Sequence, residues 1–219
     1  MERQPEPEYM DLADEAEAYA LADFGEVNRA FAARVLEVGG SVEVCRALDL
    51  GTGPGEIPLL VAAERPGWRI TAVDASEAML ASARRSAAEQ GCRSVRWVGC
   101  DAKRLGLAAD AFDVVFSNSI LHHLTDTDAF WSELRRVARV GALVVLRDLF
   151  RPVDARAARA LVAKYAGGES RLLQEEFYRS FLSAYTVEEV REQLVRAGLD
   201  GLEVRQVTDR HLDVTGRVG

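Results

Sequence analysis

The stretch that decides the fold of this 219-residue chain reads Leu48-Asp49-Leu50-Gly51-Thr52-Gly53-Pro54-Gly55. It lies between two apolar runs, so it predicts a buried strand, a glycine turn and the start of a helix. Glycine adopts backbone conformations that other residues avoid, and it lets the backbone approach a bound molecule closely. The first amides of the new helix have no partner within the helix and face whatever lies at the turn. The stretch therefore predicts a ligand-binding turn at the end of a strand.

The spacing of the glycines distinguishes between two kinds of ligand. A dinucleotide-binding turn has the pattern G-x-G-x-x-G and holds a pyrophosphate at the helix N-terminus. Gly51 and Gly53 fit this pattern, but the third glycine falls one residue early, at Gly55, and Glu56 stands in its place. Glu56 would repel a pyrophosphate, whereas Asp49 at the strand end would attract an ammonium group. S-adenosylmethionine carries an ammonium group and a ribose but no phosphate, so it fits this turn better than a dinucleotide.

A second acidic residue follows the next predicted strand. The β-rich run Arg69-Ile70-Thr71-Ala72-Val73 ends at Asp74. A carboxylate about 20 positions past such glycines can hold the hydroxyl groups of a ribose. The alternative is that Asp74 caps the helix that begins near Ser76, since aspartate is a common helix cap. Because Asp74 follows this particular turn, we expect it to bind ribose.

Two further motifs complete a set of four. The set consists of Asp49–Gly55, Val73–Ser76, Gly99–Ala102 and Phe112–Ser119. In this order and at this spacing, the motifs resemble those of the Rossmann-like, class I S-adenosylmethionine-dependent methyltransferase superfamily, of the small-molecule type. The resemblance covers roughly residues 44–150.

The resemblance implies a cofactor site at the carboxyl ends of the strands. Asp101 would accept a hydrogen bond from the adenine amino group, and the amide of Ala102 would meet a ring nitrogen; the alternative for Asp101 is a solvated loop carboxylate. Met79 would contact the adenine or merely fill the core. The expected cofactor-binding residues are Asp49, Gly51, Thr52, Gly53, Gly55, Asp74, Ala75, Met79, Asp101, Ala102, Ser117 and Asn118.

His122 and His123 are the candidate catalytic residues. Histidine can act as a general base because its pKa lies near neutrality. The alternative is a packing or cofactor-shielding role, which histidines in this loop often have in the superfamily. Methyl transfer by in-line displacement needs mainly positioning and exclusion of water, so no base is obligatory. We expect no metal, because no third ligand lies at a suitable spacing from the two histidines.

The motif at the end of the fourth strand and the charge restrict the acceptor. Ser117-Asn118-Ser119-Ile120 lacks the Asn/Asp-Pro-Pro-aromatic element that nucleic-acid and protein amide methylases often carry. The net charge is −8 and no basic stripe is present, which disfavours nucleic acid. We therefore predict methyl transfer from S-adenosylmethionine to a small molecule, with S-adenosylhomocysteine as product. The alternatives are a non-catalytic S-adenosylmethionine-binding or regulatory module, a nicotinamide-dependent oxidoreductase, and an RNA or protein methyltransferase.

The alternation of predicted strands and helices indicates an α/β fold. We expect a three-layer α/β/α sandwich with a mostly parallel seven-stranded sheet, preceded by N-terminal helices. Residues 1–8, acidic and proline-containing, predict a disordered lead-in to a single methyltransferase domain over residues 9–219. Within the domain we expect a helical cap (9–40), a cofactor-binding core (44–150), a helical insertion (152–184), and a last helix with closing strands (186–219). The cap and the insertion would form the acceptor site.

Cysteine usage and hydropathy indicate the compartment. The three cysteines are odd in number and form no C-x-x-C pair, so neither a disulfide framework nor a zinc site is indicated. No apolar run approaches the roughly 20 residues of a membrane span, and the first residues lack the pattern of a signal peptide. We expect a cytoplasmic monomer or homodimer that binds no membrane.

Overall fold

The computed structural model describes residues 1–6 and 25–219 of the chain. Helices and strands alternate through most of its length. In chain order the elements are α1 Gly25–Gly39, β1 Arg46–Leu50, α2 Glu56–Glu64, β2 Arg69–Asp74, α3 Glu77–Glu89, β3 Val95–Gly99, β4 Phe112–Asn118, α4 Thr127–Val137, β5 Ala138–Leu149, α5 Ala155–Ala166, α6 Arg171–Ser183, α7 Val187–Arg196, β6 Leu202–Gln206 and β7 His211–Arg217. A 3₁₀ turn over Leu121–His123 lies between β4 and α4.

The seven strands form one sheet in the order β3-β2-β1-β4-β5-β7-β6. Strand β7 is antiparallel to both of its neighbours, and the other pairings are parallel. The predicted mostly parallel seven-stranded sheet is therefore confirmed. The strand order changes direction between β1 and β4, and open α/β sheets bind ligands at such a point, outside the carboxyl ends of the strands.

Apolar clusters cover both faces of the sheet, as the sandwich prediction requires. On one face, Phe31 and Val35 of α1 pack with α2 against β1, β2 and β4. On the other face, Phe130 and Trp131 of α4 pack with α7 against the same central strands. Strand β1 is buried from Ala47 to Leu50, because a central parallel strand is covered from both sides. This burial fixes the position of the turn that follows β1.

The N-terminal region differs from the sequence prediction. Of the helical cap expected over residues 9–40, the later part is α1, which begins at Gly25, and the part before residue 25 lies outside the described residues. The predicted disordered lead-in covered residues 1–8, but residues 1–6 lie against the domain. The Arg3 guanidinium donates hydrogen bonds to the carbonyls of His122 (3.1 Å), Leu124 (3.0 Å) and Ser183 (2.5 Å). Arginine presents five N–H donors, so it can satisfy several turn carbonyls at once.

Helix boundaries depend on the caps. The spacing of Thr186 and Glu189 predicts a capping box, and each side chain accepts a hydrogen bond from the other residue's amide, at 2.8 and 3.1 Å. The sequence Thr125-Asp126-Thr127-Asp128 also resembles a capping box, but there Asp126 caps α4 by accepting from the amide of Ala129 at 3.0 Å. Helix α4 then ends at Val137, and β5 begins at once, although the apolar pattern predicts a strand only from residue 141.

The predicted helical insertion consists of α5 and α6, which pack on each other. Ala158 and Val162 of α5 form a small apolar cluster with Phe181 of α6. Aromatic residues recur at helical spacing here, and the rings of Phe177 and Phe181 lie 4.7 Å apart between centroids, so this part of the aromatic stripe is core. None of the helices within residues 25–219 is both long and apolar enough to cross a bilayer.

Candidate functional site

A cleft opens at the carboxyl ends of β1, β2, β3 and β4, where the topology predicts a ligand site. Its volume is about 850 Å³ including the open space at its mouth. Its walls are formed by the segments that leave the four strands. The lining residues are Gly51, Gly53, Val73, Asp74, Ala75, Ser76, Met79, Cys100, Asp101, Ala102, Lys103, Asn118, Ser119, Ile120, His123 and Leu124.

The glycine turn forms the floor of the cleft. Gly51 and Gly53 have φ angles of 70° and 55°, which side chains other than glycine rarely adopt. The amide of Gly51 donates to the carbonyl of Val73 at 2.9 Å, so β2 holds the turn in place. A Cβ atom on Gly51 would lie 2.9 Å from Cδ1 of Ile120, whereas one on Gly53 would meet nothing within 4 Å. Gly51 is therefore required mainly by its φ angle, because the end of the Ile120 side chain could move aside, and Gly53 leaves open space above the backbone.

Asp74 connects the glycine turn to the start of α3. Its Oδ2 accepts a hydrogen bond from the amide of Gly53 at 2.7 Å, and its Oδ1 accepts from the amide of Ser76 at 2.8 Å. The cap of α3 is Ser76, whose hydroxyl accepts from the amide of Met79, so Asp74 does not have the alternative role of helix cap. Burial raises the pKa of Asp74, opposed by these amide hydrogen bonds. A carboxylate has about four acceptor positions, so Asp74 can accept further hydrogen bonds from a ligand.

The predicted adenine region lies on the other side of the cleft. Asp101 accepts a hydrogen bond from the amide of Lys103 at 2.8 Å, and the Lys103 ammonium lies 3.4 Å from its second oxygen. Met79 enters the same cleft from the first turn of α3. Eight of the twelve predicted cofactor-binding residues are thus brought together along the cleft: Gly51, Gly53, Asp74, Ala75, Met79, Asp101, Ala102 and Asn118.

The other four predicted residues lie behind the cleft rather than along it. The buried Asp49 accepts a hydrogen bond from the Thr52 hydroxyl at 2.6 Å. The fully buried Ser117 donates its hydroxyl to the carbonyl of Leu50 at 2.5 Å. A Cβ atom on Gly55 would lie 2.6 Å from the Trp97 ring. These residues support the turn from behind. The polar atoms of Asp49, Thr52 and Ser117 bond to other protein atoms, and Gly55 leaves room for the Trp97 ring.

Asp49 is a buried acid immediately below the turn. Burial raises its pKa to about 7, the Thr52 hydroxyl opposes that rise, and the nearby Asp74 adds to it. An ammonium group brought close to Asp49 would favour its charged form. The predicted attraction between Asp49 and an ammonium group would therefore be electrostatic, without direct contact, because the glycine turn lies between the two groups.

The two candidate histidines differ in position. His123 lines the cleft, with 20% of its side chain exposed. His122 is buried, and its Nδ1 lies 2.5 Å from Oδ1 of Asp148. Burial lowers the pKa of His122, but Asp148 and Glu6 together raise it further, so the net shift is upward. The rings of His122 and His123 lie 4.1 Å apart between centroids, so the buried ring supports the one that faces the cleft.

Sequence reasoning missed part of the site. The missed cleft residues each lie within two positions of a predicted one, so the strand-end rule could have identified them: Val73, Ser76, Cys100, Lys103, Ser119, Ile120 and Leu124. Glu6 had no such signal, because it belongs to the predicted lead-in. Its Oε1 lies 3.0 Å from Nδ1 of His123 and 3.6 Å from Nε2 of His122.

Comparison with known proteins bears on the centre of the chain. Residues 48–146 match the model of a family described as a methyltransferase domain. The chain is 34% identical over 167 residues to a malonyl-[acyl-carrier protein] O-methyltransferase of Geobacter sulfurreducens, covering 74% of this chain and 58% of that protein. It is 31% identical over 118 residues to a ubiquinone/menaquinone biosynthesis C-methyltransferase of Desulfotalea psychrophila, covering 54% and 47% respectively. The chain thus spans about half the length of these curated relatives.

A solved structure shares the fold over nearly the whole chain. The similar structure is that of an S-adenosylmethionine-dependent methyltransferase from Aquifex aeolicus, with a TM-score of 0.70 and 21% identity. The similarity covers 95% of this chain and all of that one. The family match identifies residues 48–146 as a methyltransferase domain, and nearly the whole chain has the fold of this S-adenosylmethionine-dependent methyltransferase.

Proposed function

We propose that this protein binds S-adenosylmethionine in the cleft and transfers its methyl group to a small-molecule acceptor, leaving S-adenosylhomocysteine. The observation that carries the proposal is Asp74, which lies beside the open backbone of Gly53 at the carboxyl edge of the sheet. A carboxylate in that position suits the hydroxyls of a ribose. The absence of a glycine at position 56 disfavours a dinucleotide pyrophosphate.

The positions of the cleft residues indicate which part of the cofactor each of them would hold. Asp74 would accept hydrogen bonds from the ribose hydroxyls, and Asp101 with the amide of Ala102 would bind the adenine edge. The glycine turn would hold the methionyl end, whose ammonium group the buried Asp49 would favour. Asn118 and His123 are left at the far end of the cleft, where the acceptor would enter.

His123 is the side chain best placed to take a proton from the acceptor. When bound, S-adenosylmethionine supplies an activated methyl group on its sulfonium. His123 faces the cleft and can remove a proton from a hydroxyl or thiol. His122, buried and held by Asp148, positions His123. The names of the two curated relatives, an O-methyltransferase and a C-methyltransferase, support an oxygen or carbon acceptor atom.

Calorimetric titration with S-adenosylmethionine, S-adenosylhomocysteine and NADH tests the cofactor. We expect micromolar binding of the first two and no signal with NADH. The Asp74→Ala protein should bind S-adenosylmethionine at least tenfold more weakly, about 1.4 kcal/mol. NADH binding, no binding of any of the three, or unchanged affinity in the variant would contradict the assignment.

Turnover tests the enzyme claim separately. The protein is incubated with S-adenosylmethionine labelled on the methyl group and with the small-molecule fraction of a bacterial extract, and S-adenosylhomocysteine is quantified. Heat-denatured protein serves as the control. Enzyme-dependent S-adenosylhomocysteine with label in a small molecule supports the proposal. Label in RNA or protein favours a macromolecular acceptor, and binding without turnover favours the regulatory module.

We further propose a monomer or homodimer in the cytoplasm that binds no nucleic acid. The acidic net charge and the odd number of cysteines support this proposal. Light scattering gives the molecular mass in solution, and fractionation of the source cells gives the compartment.

A further inference from the structure

Three side chains with metal-binding atoms meet at the edge of the cleft. Glu6 comes from the N-terminal segment, and His122 and His123 come from the turn after β4. Their candidate ligand atoms all lie within 4.8 Å of one another. We propose that Glu6, His122 and His123 bind one divalent transition-metal ion of the Zn²⁺ class.

The two distances from Glu6 to the histidine nitrogens fit ligands that share an ion. Zinc binds histidine nitrogen and carboxylate oxygen at about 2.0–2.2 Å in tetrahedral geometry, which separates neighbouring ligand atoms by about 3.3 Å. Oε1 of Glu6 lies 3.0 Å from Nδ1 of His123 and 3.6 Å from Nε2 of His122, on either side of that value. The longer distance exceeds that of a hydrogen bond, so Glu6 approaches His122 without a direct hydrogen bond.

Asp148 prepares His122 as a ligand. With Nδ1–H donated to Asp148 at 2.5 Å, Nε2 of the neutral ring carries the lone pair, and this atom faces the Glu6 carboxylate. A divalent cation between this lone pair and the Glu6 carboxylate would bind both groups, in the place that a proton on Nε2 would otherwise take. Carboxylate–histidine–metal arrangements use the same support to fix the ring. One divalent ion with Glu6 and Asp148 also balances the charge, because both imidazoles are then neutral.

The cluster is sheltered yet reaches the cleft. The side chains of His122, Glu6 and His123 are 5%, 9% and 20% exposed. Arg3 holds the N-terminal segment in place through the carbonyls of His122 and Leu124. Three protein ligands leave a coordination position open, as in catalytic zinc sites. Because His123 lines the cleft, an acceptor oxygen or thiol could take that position. The ion would then lower the pKa of the acceptor and replace His123 as the group that activates it; this role, unlike metal binding itself, rests on the proposed function.

Sequence spacing did not reveal this site. The expectation of no metal rested on the missing third ligand near His122 and His123. The structure brings Glu6 to them from the far N-terminal segment, so the ligand set becomes one carboxylate and two imidazoles.

Titration of the metal-free, full-length protein with Co²⁺ tests the proposal. High-spin Co²⁺ replaces zinc and absorbs visible light when bound, and Zn²⁺ competition then gives the zinc affinity. We expect one equivalent to bind saturably, without the sulfur-to-cobalt charge-transfer band of a cysteine site. Glu6→Gln and His123→Gln should each weaken binding at least tenfold. Glu2→Gln, at an exposed acid of the same segment, is the matched control and should bind like the original protein.

The titration is done without S-adenosylmethionine, so its outcome is independent of the cofactor assignment. Thermal unfolding of each variant checks that the fold is intact. If the Glu6→Gln protein unfolds, the test relies on the His123→Gln protein, which is altered at a partly exposed side chain. No saturable Co²⁺ binding, or equal binding by the folded variants and the control, would overturn the proposal.

Discussion

Replacing Asp49 with asparagine should change how the stability of the fold depends on pH. The Asp49 carboxyl is buried below the glycine turn, and its pKa rises from 3.8 to about 7. Because the folded state binds the proton more tightly than the unfolded state, protonation of Asp49 stabilises the fold. This contribution is fully present below about pH 4 and is lost progressively as the pH rises to about 7.

The magnitude follows from the size of the shift. One pKa unit corresponds to about 1.4 kcal/mol, so a shift of about three units makes the ionised group cost roughly 4 kcal/mol at high pH. At about pH 5.5 ionisation of Asp49 already lowers the free energy of unfolding by roughly 2 kcal/mol, and it should lower it by about 2 kcal/mol more by about pH 8.5. Asparagine cannot ionise and has nearly the same shape. The Asp49→Asn protein should therefore gain about 2 kcal/mol relative to the original protein over this interval.

Urea unfolding followed by tryptophan fluorescence measures this difference, in the absence of cofactor. The original protein, Asp49→Asn and Asp200→Asn are compared at the two pH values. Asp200 lies in an exposed turn and serves as the matched substitution. If the stability difference between the Asp49→Asn and original proteins is the same at both pH values, the assigned pKa and the reasoning from burial are wrong.

Three further predictions concern packing and binding. In urea unfolding, Gly55→Ala should destabilise the fold by about 2–4 kcal/mol, because φ is +83° and the added Cβ would collide with Trp97. The control Gly91→Ala, with φ +65° and open space around the added Cβ, should cost only about 1–2 kcal/mol. Equal losses in the two variants would contradict the packing role of Gly55. Gln193→Leu removes the acceptor of the Trp131 indole N–H at 3.0 Å and should cost about 1–3 kcal/mol in the same assay, so an unchanged midpoint would count against that hydrogen bond. Asp74→Asn keeps the size of the side chain but loses an acceptor, so S-adenosylmethionine affinity by calorimetry should fall, whereas Glu77→Gln at the exposed start of α3 should leave it unchanged.

The sequence predicts those residues of the site whose position is set by the ends of the strands. The turn at Gly51 and Gly53 and the acids Asp74 and Asp101 follow from strand ends, which the sequence pattern locates. Parallel strands bring those ends to one edge of the sheet, so their residues meet whatever the details of packing. For the same reason eight of the twelve expected cofactor-binding residues line the cleft.

The direction of side chains could not be predicted in this way. Thr52 and Ser117 have hydroxyls that suit a ligand, yet each bonds to protein atoms behind the turn. Arg151 has Asp148 and Asp154 three positions away on either side in the sequence, but its guanidinium pairs with Glu189 at 2.5 Å. A polar side chain takes the partner that tertiary packing brings within reach, and sequence spacing does not contain that information.

The sequence by itself determined the α/β class, the mostly parallel sheet and the edge at which a ligand binds. These follow from local rules: hydrophobic periodicity gives the elements, and glycines permit the turn. Only the tertiary structure decided that Asp49 lies behind the turn and that Glu6 reaches His122 and His123. Such contacts join residues far apart in the chain, and their geometry depends on the packing of the whole domain.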